Sequence, residues 1–296
     1  MTSQRVPQPP ADAVAMIVAA ALDEDRASFD VTTRATVPDD QPGEATVLYK
    51  QAGIVCGLEV LAQVFQQVSE EIEVTSAFED GAWVEAGTAV AEVTGPLAAI
   101  RSGARVALNL RPRLSGSATG AGAAGAAAAR GGAGRVVDTR KTTPGLRAVE
   151  RYAVRVGGAH NHRNTLEDGV LIKDNHIAAG LQRGLDLTTV IALARAGAPH
   201  TLRIEVEVTD PVMAREAVAA GADVVLLDNM PPDDMRAVVE EHRSDPSTAR
   251  VLFEASGGIT LETIAAVAAT GVDLISCGAL THSAPALDIS LDVRPA

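Results

Sequence analysis

The spacing of apolar and polar positions changes character near residue 135. Before it the pattern is mixed. Residues 13–22 (AVAMIVAAAL) read as a first helix, and Leu58, Leu61, Val64, Phe65 and Val68 form a helical stripe. ATVLYKQAGIVCG predicts two short strands, and residues 72–96 alternate around an Asp80-Gly81 turn and a second break at Gly87. A helix is expected over 97–110. Together these make a small α+β domain. From Arg135 onward, strands alternate with helices: strands at 135–138, 169–174, 203–208, 223–228, 250–255 and 272–277, with helices at 188–196, 211–220, 232–241 and 261–269. Repeated βα units predict a parallel sheet curling into a barrel. Six strands fall short of the eight of a closed barrel, so the fold class expected is α/β with an open, incomplete (β/α) barrel.

Between the two patterns lies RPRLSGSATGAGAAGAAAARGGAG (111–134), an Ala/Gly run with Pro112 near its start. Each glycine costs a helix about 1 kcal/mol relative to alanine, so a helix here is marginal by itself. A linker and a helix enforced by its neighbours both remain open.

Composition narrows the function. Apolar residues make up 47% of the chain and aromatics 2%, so the core is aliphatic. A formal charge of −13 with few aromatic rings argues against nucleic acid and gives no attraction to anionic lipid. The 13–22 run is too short to span a bilayer and is followed by Asp23, Glu24 and Asp25. Cys56 and Cys277 have no metal-like spacing and read as reduced core thiols. A soluble, cytoplasmic protein is expected. Residues 72–96 are similar to the hairpins of lipoyl and biotinyl carriers, but no lysine lies between Lys50 and Lys141 to carry the group.

Against this acidic background, residues 138–177 concentrate cations: Arg140, Lys141, Arg147, Arg151, Arg155, Arg163 and Lys173, with His160, His162 and His176. The four-residue spacing of Arg147, Arg151 and Arg155 predicts one solvated helix face. Arg140, Lys141, His162, Arg163 and Lys173 predict a pocket for a small, multiply charged anion. Polar residues also recur where strands end: Asp138 to Lys141, Lys173 to His176, Glu207, Asp228-Asn229, Glu254 to Ser256, and Gly278. In parallel α/β folds that rim gathers catalytic groups. SGGIT (256–260) and GALTH (278–282) follow the last two strands and predict phosphate binding by backbone N–H groups.

The motifs DTRKTTPGLR (138–147), NHR (161–163), LIKDNH (171–176), EVEV (205–208), LLDN (226–229), ASGG (255–258) and GALTHS (278–283), with TTRATVPDD and GLEV upstream, resemble the quinolinate phosphoribosyltransferase family over nearly the full chain. The resemblance implies an α/β sandwich domain over 1–114 and an open barrel over 115–283, with the tail 284–296 packing back on the first domain. It implies phosphoribosyl transfer from phosphoribosyl pyrophosphate to quinolinate with decarboxylation, giving nicotinate mononucleotide, pyrophosphate and CO2, in a homodimer with shared sites. By match to the family, Arg140, His162, Arg163 and Lys173 hold quinolinate, Arg105 reaches the neighbouring subunit's site, and Lys141 spans both substrates. Glu207 and Asp228 hold ribose hydroxyls and the Mg²⁺ that pyrophosphate carries. Ser256, Gly257, Gly258 and Gly278 hold the 5′-phosphate, with His282 assisting. The Ala/Gly run stands where the family has a regular helix, and Ala104 where it usually has an acidic residue. The alternatives are another pyridine-acid phosphoribosyltransferase and a non-catalytic phosphosugar-binding paralogue; the number of cations favours a diacid.

Overall fold

The computed structural model describes residues 6–296. In chain order its elements are α1 (Ala11–Glu24), a 3₁₀ turn (Ala27–Phe29), α2 (Val31–Thr36), β1 (Pro42–Tyr49), β2 (Gly53–Ile54), α3 (Leu58–Val68), β3 (Glu73–Thr75), β4 (Trp83–Val84), β5 (Thr88–Pro96) and α4 (Leu97–Gly131). There follow β6 (Arg135–Val137), α5 (Arg147–Val156), β7 (Val170–Ile172), α6 (Asp174–Gln182), α7 (Leu187–Gly197), β8 (Ile204–Val208), α8 (Pro211–Ala219), β9 (Val224–Asp228) and α9 (Pro232–Arg243). The chain closes with β10 (Leu252–Ser256), α10 (Ile264–Ala268), β11 (Leu274–Ser276), α11 (Ala279–His282) and β12 (Ile289–Pro295).

Two units are present. The first runs to Gly122 and takes in Lys141–Gly158 and Leu280–Ala296; the second is Ala123–Arg140 with Ala159–Ala279. The division differs from a boundary after residue 114, because Val149, Tyr152, Ala153 and Val156 of α5 are part of the same core as Val60, Phe65 and Val93.

The first unit is built on an antiparallel sheet in the order β12-β1-β5-β3. β1 alternates buried and part-buried residues, as a strand with one face on a core must. The alternating stretch 72–96 is not one hairpin: β3 pairs with β5, and β4 pairs with β2. Asp80 explains the detour. Its carboxylate accepts the N–H groups of Gly57 (2.9 Å) and Leu58 (3.1 Å) at the start of α3 and the Tyr152 hydroxyl (2.8 Å), so the Asp80-Gly81 turn serves a helix start. The expectation of a solvated arginine face on α5 is also corrected. Arg151 is 2% exposed, while Arg155 donates to Pro7 O (3.1 Å) and Arg147 to Thr142 Oγ1 (3.0 Å).

The Ala/Gly run is helix. α4 continues through Pro112 to Gly131, and the Pro112 carbonyl accepts the Leu287 N–H at 2.9 Å. Its small residues admit neighbouring backbone: a Cβ at Gly116 would lie 1.8 Å from Pro285 O, and one at Gly131 1.9 Å from Ala265 O. Close packing of this kind outweighs weak intrinsic propensity.

The second unit holds a six-stranded parallel sheet in the order β6-β11-β10-β9-β8-β7. β6 and β7 are its two edges, so the barrel is open as expected. Its strands are nearly wholly buried aliphatic residues, for example Val224 to Leu227 on β9 and Val206 and Val208 on β8. Both cysteines are buried thiols, and Cys277 Sγ donates to Ile259 O at 3.8 Å. Among the described residues no single helix is long and apolar enough to cross a membrane.

Candidate active site

The strands of the second unit end in a polar rim. Asp138 follows β6, is fully buried, and anchors the segment opposite: its Oδ1 accepts the His162 N–H at 2.8 Å and its Oδ2 accepts from Asn161 Nδ2 at 2.6 Å. That segment runs beside β6 through a single parallel bridge, Val137 to His160. Arg163 Nη1 donates to Gly169 O at 3.0 Å. Burial and the neighbouring Arg140 guanidinium both lower the pKa of Arg163. Arg140 Nε is buried with no hydrogen-bond partner. Two guanidinium groups held near one another against their repulsion are suited to adjacent carboxylates.

Lys173 caps α6, where its main-chain N–H is held by His176 Nδ1 at 2.9 Å, and its Nζ pairs with Glu207 Oε2. Asp228 ends β9 and accepts from Asn229 Nδ2 at 2.8 Å. Asn229 has φ +51°, and its N–H donates to Ser256 O at 2.9 Å. Gly257 (φ +91°) and Gly258 (φ +59°) follow in left-handed conformation. A Cβ at Gly257 would lie 2.3 Å from Asn229 Oδ1. Glycine is therefore required at this turn, which has the backbone form that exposes N–H groups to an anion. Gly278 stands immediately before α11.

Under this rim lies a buried cluster. β8 reads IEVEV, and residues two apart on a strand share a face, so Glu205 points the same way as Glu207 but one layer deeper. His162 Nε2 is 3.2 Å from Glu205 Oε2 and 3.5 Å from Glu254 Oε1, and its Nδ1 accepts the Arg163 N–H at 2.8 Å. Ser276 Oγ donates to Glu254 Oε1. Burial acts to lower the imidazole pKa, but hydrogen bonds and charge from Glu205 and Glu254 outweigh it and push the value up to about 10. Burial also raises the Glu205 carboxyl. The two carboxylates therefore favour the protonated form of the His162 ring. On the other side of the cluster a cavity of about 510 Å³, lined by Arg135, Arg203, Val224, Leu252 and Leu274 among others, opens toward the beginnings of the strands.

Of the residues expected from the sequence, Arg140, His162, Arg163, Lys173, Glu207, Asp228, Ser256, Gly257, Gly258 and Gly278 all belong to the second unit. Arg105 and Lys141 belong to the first: Arg105 is exposed on α4, and the Lys141 carbonyl accepts from Thr281 Oγ1 at 2.9 Å. His282 is exposed and bonded to Ser283 Oγ at 2.6 Å. Glu205 was not singled out in the sequence, although the i, i+2 spacing with Glu207 carried the signal. The Glu207 and Asp228 carboxylates, hard oxygen donors on adjacent strands, suit a Mg²⁺ that keeps most of its ligands from substrate and water. Ligand atoms within 4.8 Å of one another occur instead at His162, Glu205 and Glu254.

Fold and rim define an α/β-barrel enzyme that handles anions at the carboxyl ends of its strands. The family model for the quinolinate phosphoribosyl transferase N-terminal domain matches residues 30–115, and that for its C-terminal domain matches residues 118–292. The chain belongs to the quinolinate phosphoribosyltransferase family. It is 44% identical over 270 residues to the probable nicotinate-nucleotide pyrophosphorylase [carboxylating] of Bacillus subtilis (strain 168), covering 91% of this chain and 90% of that one. It is 40% identical over 254 residues to the corresponding Homo sapiens protein, covering 84% and 82%. The solved structure of the nicotinate-nucleotide pyrophosphorylase from Francisella tularensis superposes with a TM-score of 0.88 at 33% identity, covering 99% and 100%.

Proposed function

We propose that this chain joins quinolinate to the ribose of phosphoribosyl pyrophosphate, with loss of pyrophosphate and CO2, to give nicotinate mononucleotide. The observation that carries the reading is the placing of Arg140, Arg163 and Lys173 on the same rim as Glu207, Asp228 and the Ser256-Gly257-Gly258 turn, in a chain of this family.

In this reading the Arg140 and Arg163 forks meet the two adjacent carboxylates of quinolinate, and Lys173 adds a compact ammonium. The Ser256 to Gly258 turn and Gly278 hold the 5′-phosphate, while Glu207 and Asp228 accept hydrogen bonds from ribose hydroxyls. Held this way, the pyridine nitrogen attacks the anomeric carbon as the bond to pyrophosphate breaks, and the electron pair leaves with the pyrophosphate. The developing positive charge on the ribose is eased by the nearby carboxylates. Once the ring nitrogen is quaternised, the ring accepts the electrons released as the 2-carboxylate departs as CO2, and C2 takes up a proton. Glu207 and Asp228 would hold Mg²⁺, which supplies charge neutralisation for the pyrophosphate. Lys141 spans the anionic groups of both substrates, and Arg105 reaches the neighbouring subunit's site in a homodimer with shared centres, in the cytoplasm; the exposure of Arg105 on α4 supports that role.

The test is incubation of the purified chain with phosphoribosyl pyrophosphate, Mg²⁺ and carboxyl-labelled quinolinate, with nicotinate in parallel. Labelled CO2 and nicotinate mononucleotide from quinolinate are expected. Turnover of nicotinate alone would assign a different pyridine acid, and binding of phosphoribosyl pyrophosphate without pyrophosphate release would assign a non-catalytic role. Recovery of activity on mixing Arg105→Ala with Lys173→Ala protein tests the shared site.

A further inference from the structure

Asn229 stands between the Asp228 carboxylate and the Ser256-Gly257-Gly258 turn and is joined to both. Its backbone has φ +51°; among the described residues Arg26 is the one other non-glycine residue with positive φ. Side chains are disfavoured there, and although asparagine is tolerated better than most, glycine takes this conformation more freely. The Asn229 N–H donates to Ser256 O at 2.9 Å, and Ser256 lies opposite Asp228 in the parallel register of β10 on β9. Glycine would serve these backbone features equally well. The side chain does more. Its Nδ2 donates to Asp228 Oδ2 at 2.8 Å, and a carboxylate accepts, so the nitrogen end of the amide is the end that faces it. The rest of the amide lies over Gly257: a Cβ there would be 2.3 Å from Oδ1 and 2.4 Å from Cγ. One planar group thus spans the carboxylate and the turn.

We propose that Asn229 is a positioning residue for the phosphosugar: its amide sets the separation of the Asp228 carboxylate from the Ser256 to Gly258 turn, so that ribose hydroxyls and 5′-phosphate are held at the same time. This rests on the reading of the turn as a phosphate site and of Asp228 as a ribose-binding group. A ribose 5-phosphate unit has a limited span from its phosphate to its ring hydroxyls, and two grips reward it only where their spacing matches that span. Asp228 ends its strand and is only part-buried, so packing alone leaves its carboxylate room to rotate. The Asn229 amide engages one carboxylate oxygen and leaves the other to accept from a hydroxyl. A hydrogen-bonded neighbour holds a binding group to its working geometry in this way.

Binding measured apart from turnover decides the matter. Asn229→Gly keeps the left-handed backbone and its N–H and removes the amide, and at this exposed position glycine keeps the fold. In calorimetry on the full-length protein without metal, affinity for ribose 5-phosphate is expected to fall about tenfold, and affinity for inorganic phosphate to change by less than about twofold. In steady-state assays the KM for phosphoribosyl pyrophosphate should rise by a similar factor, with the KM for quinolinate within about twofold of wild type. Unchanged ribose 5-phosphate affinity would reduce Asn229 to a turn residue, and an equal loss for both ligands would make it a support of the phosphate turn alone; either result overturns the proposal. In an Asp228→Ala background, Asn229→Gly should bring no further loss of ribose 5-phosphate affinity, because the amide then has no carboxylate to place. A further loss of about tenfold would overturn the proposal in favour of direct contact between amide and sugar. If binding to Asp228→Ala falls beyond detection, phosphoribosyl pyrophosphate, gripped also through its pyrophosphate, replaces ribose 5-phosphate as the probe with the same two outcomes. Ribose 5-phosphate binding and quinolinate turnover by the wild type separate these results from failure of the functional reading, in which the unmutated protein would show neither.

Discussion

Lys173 Nζ and Glu207 Oε2 meet across the ends of β7 and β8, joining a cation expected for quinolinate to a carboxylate expected for the ribose. The pair is electrostatically linked, and changing one member alters the charge felt by the other. Lys173→Ala should raise the quinolinate KM, and Glu207→Gln should lower kcat, each by about 10- to 100-fold, as loss of a charge-assisted hydrogen bond does. The double variant should lose less than the product of the two. Steady-state kinetics with each substrate varied in turn check this; strict multiplicativity would count against the linkage.

A second ion pair concerns stability. Arg113 Nε lies 2.7 Å from Glu150 Oε1, and the fully buried Glu150 also accepts the Thr143 N–H at 3.0 Å through Oε2. Arg113 Nη2 reaches Thr143 Oγ1 at 2.6 Å and Thr281 O at 2.9 Å. Removing the carboxylate leaves a largely buried guanidinium without its counter-charge, so Glu150→Ala should destabilise by about 3 kcal/mol or more in urea unfolding. A change below about 1 kcal/mol would place this cluster among weak surface pairs.

The glycines of α4 should respond in opposite directions. At Gly125 an alanine methyl would meet nothing within 4 Å, and Gly125→Ala should stabilise by about 0.5–1 kcal/mol. At Gly116 the methyl would lie 1.8 Å from Pro285 O, so Gly116→Ala should destabilise despite alanine's better helix propensity. Thermal melts of the two proteins, run side by side, separate packing from propensity.

The His162 cluster predicts a pH dependence. Its folded-state pKa of about 10 lies above the ordinary 6.5, so the folded protein holds a proton there that the unfolded chain has lost. The stability this contributes is complete below 6.5 and disappears as pH rises through about 10. Wild-type stability should fall across that window more steeply than that of His162→Asn, by at most about 1.4 kcal/mol per pH unit. Parallel curves for the two proteins would remove the cluster as the cause.

The barrel half was legible because its strands are short aliphatic runs closed by polar residues, and the rim groups stand at those closures. Arg140, Lys173, Glu207 and Asp228 could be placed by position along a strand alone. The course of α4 could not, because its helix depends on Pro285 and Ala265 backbone packing against Gly116 and Gly131, which no local pattern encodes. The burial of Arg151 was hidden for a related reason: a charge at helical spacing looks the same whether its face meets solvent or core. Asp80 misled in a third way, since an Asp-Gly pair suits both a hairpin turn and a carboxylate that caps a neighbouring helix.

β12 supplies the edge of the first sheet beside β1, in register from Gly43 opposite Pro295 to Tyr49 opposite Ile289. During synthesis β1 leaves the ribosome long before the residues that will cover it. Until then its unpaired N–H and C=O groups form an open strand edge, a surface on which nascent chains can pair with one another. Growth temperature and expression rate should therefore govern how much protein is recovered soluble, and a chain cut short before β12 should be captured by chaperones even with every residue of the catalytic rim in place.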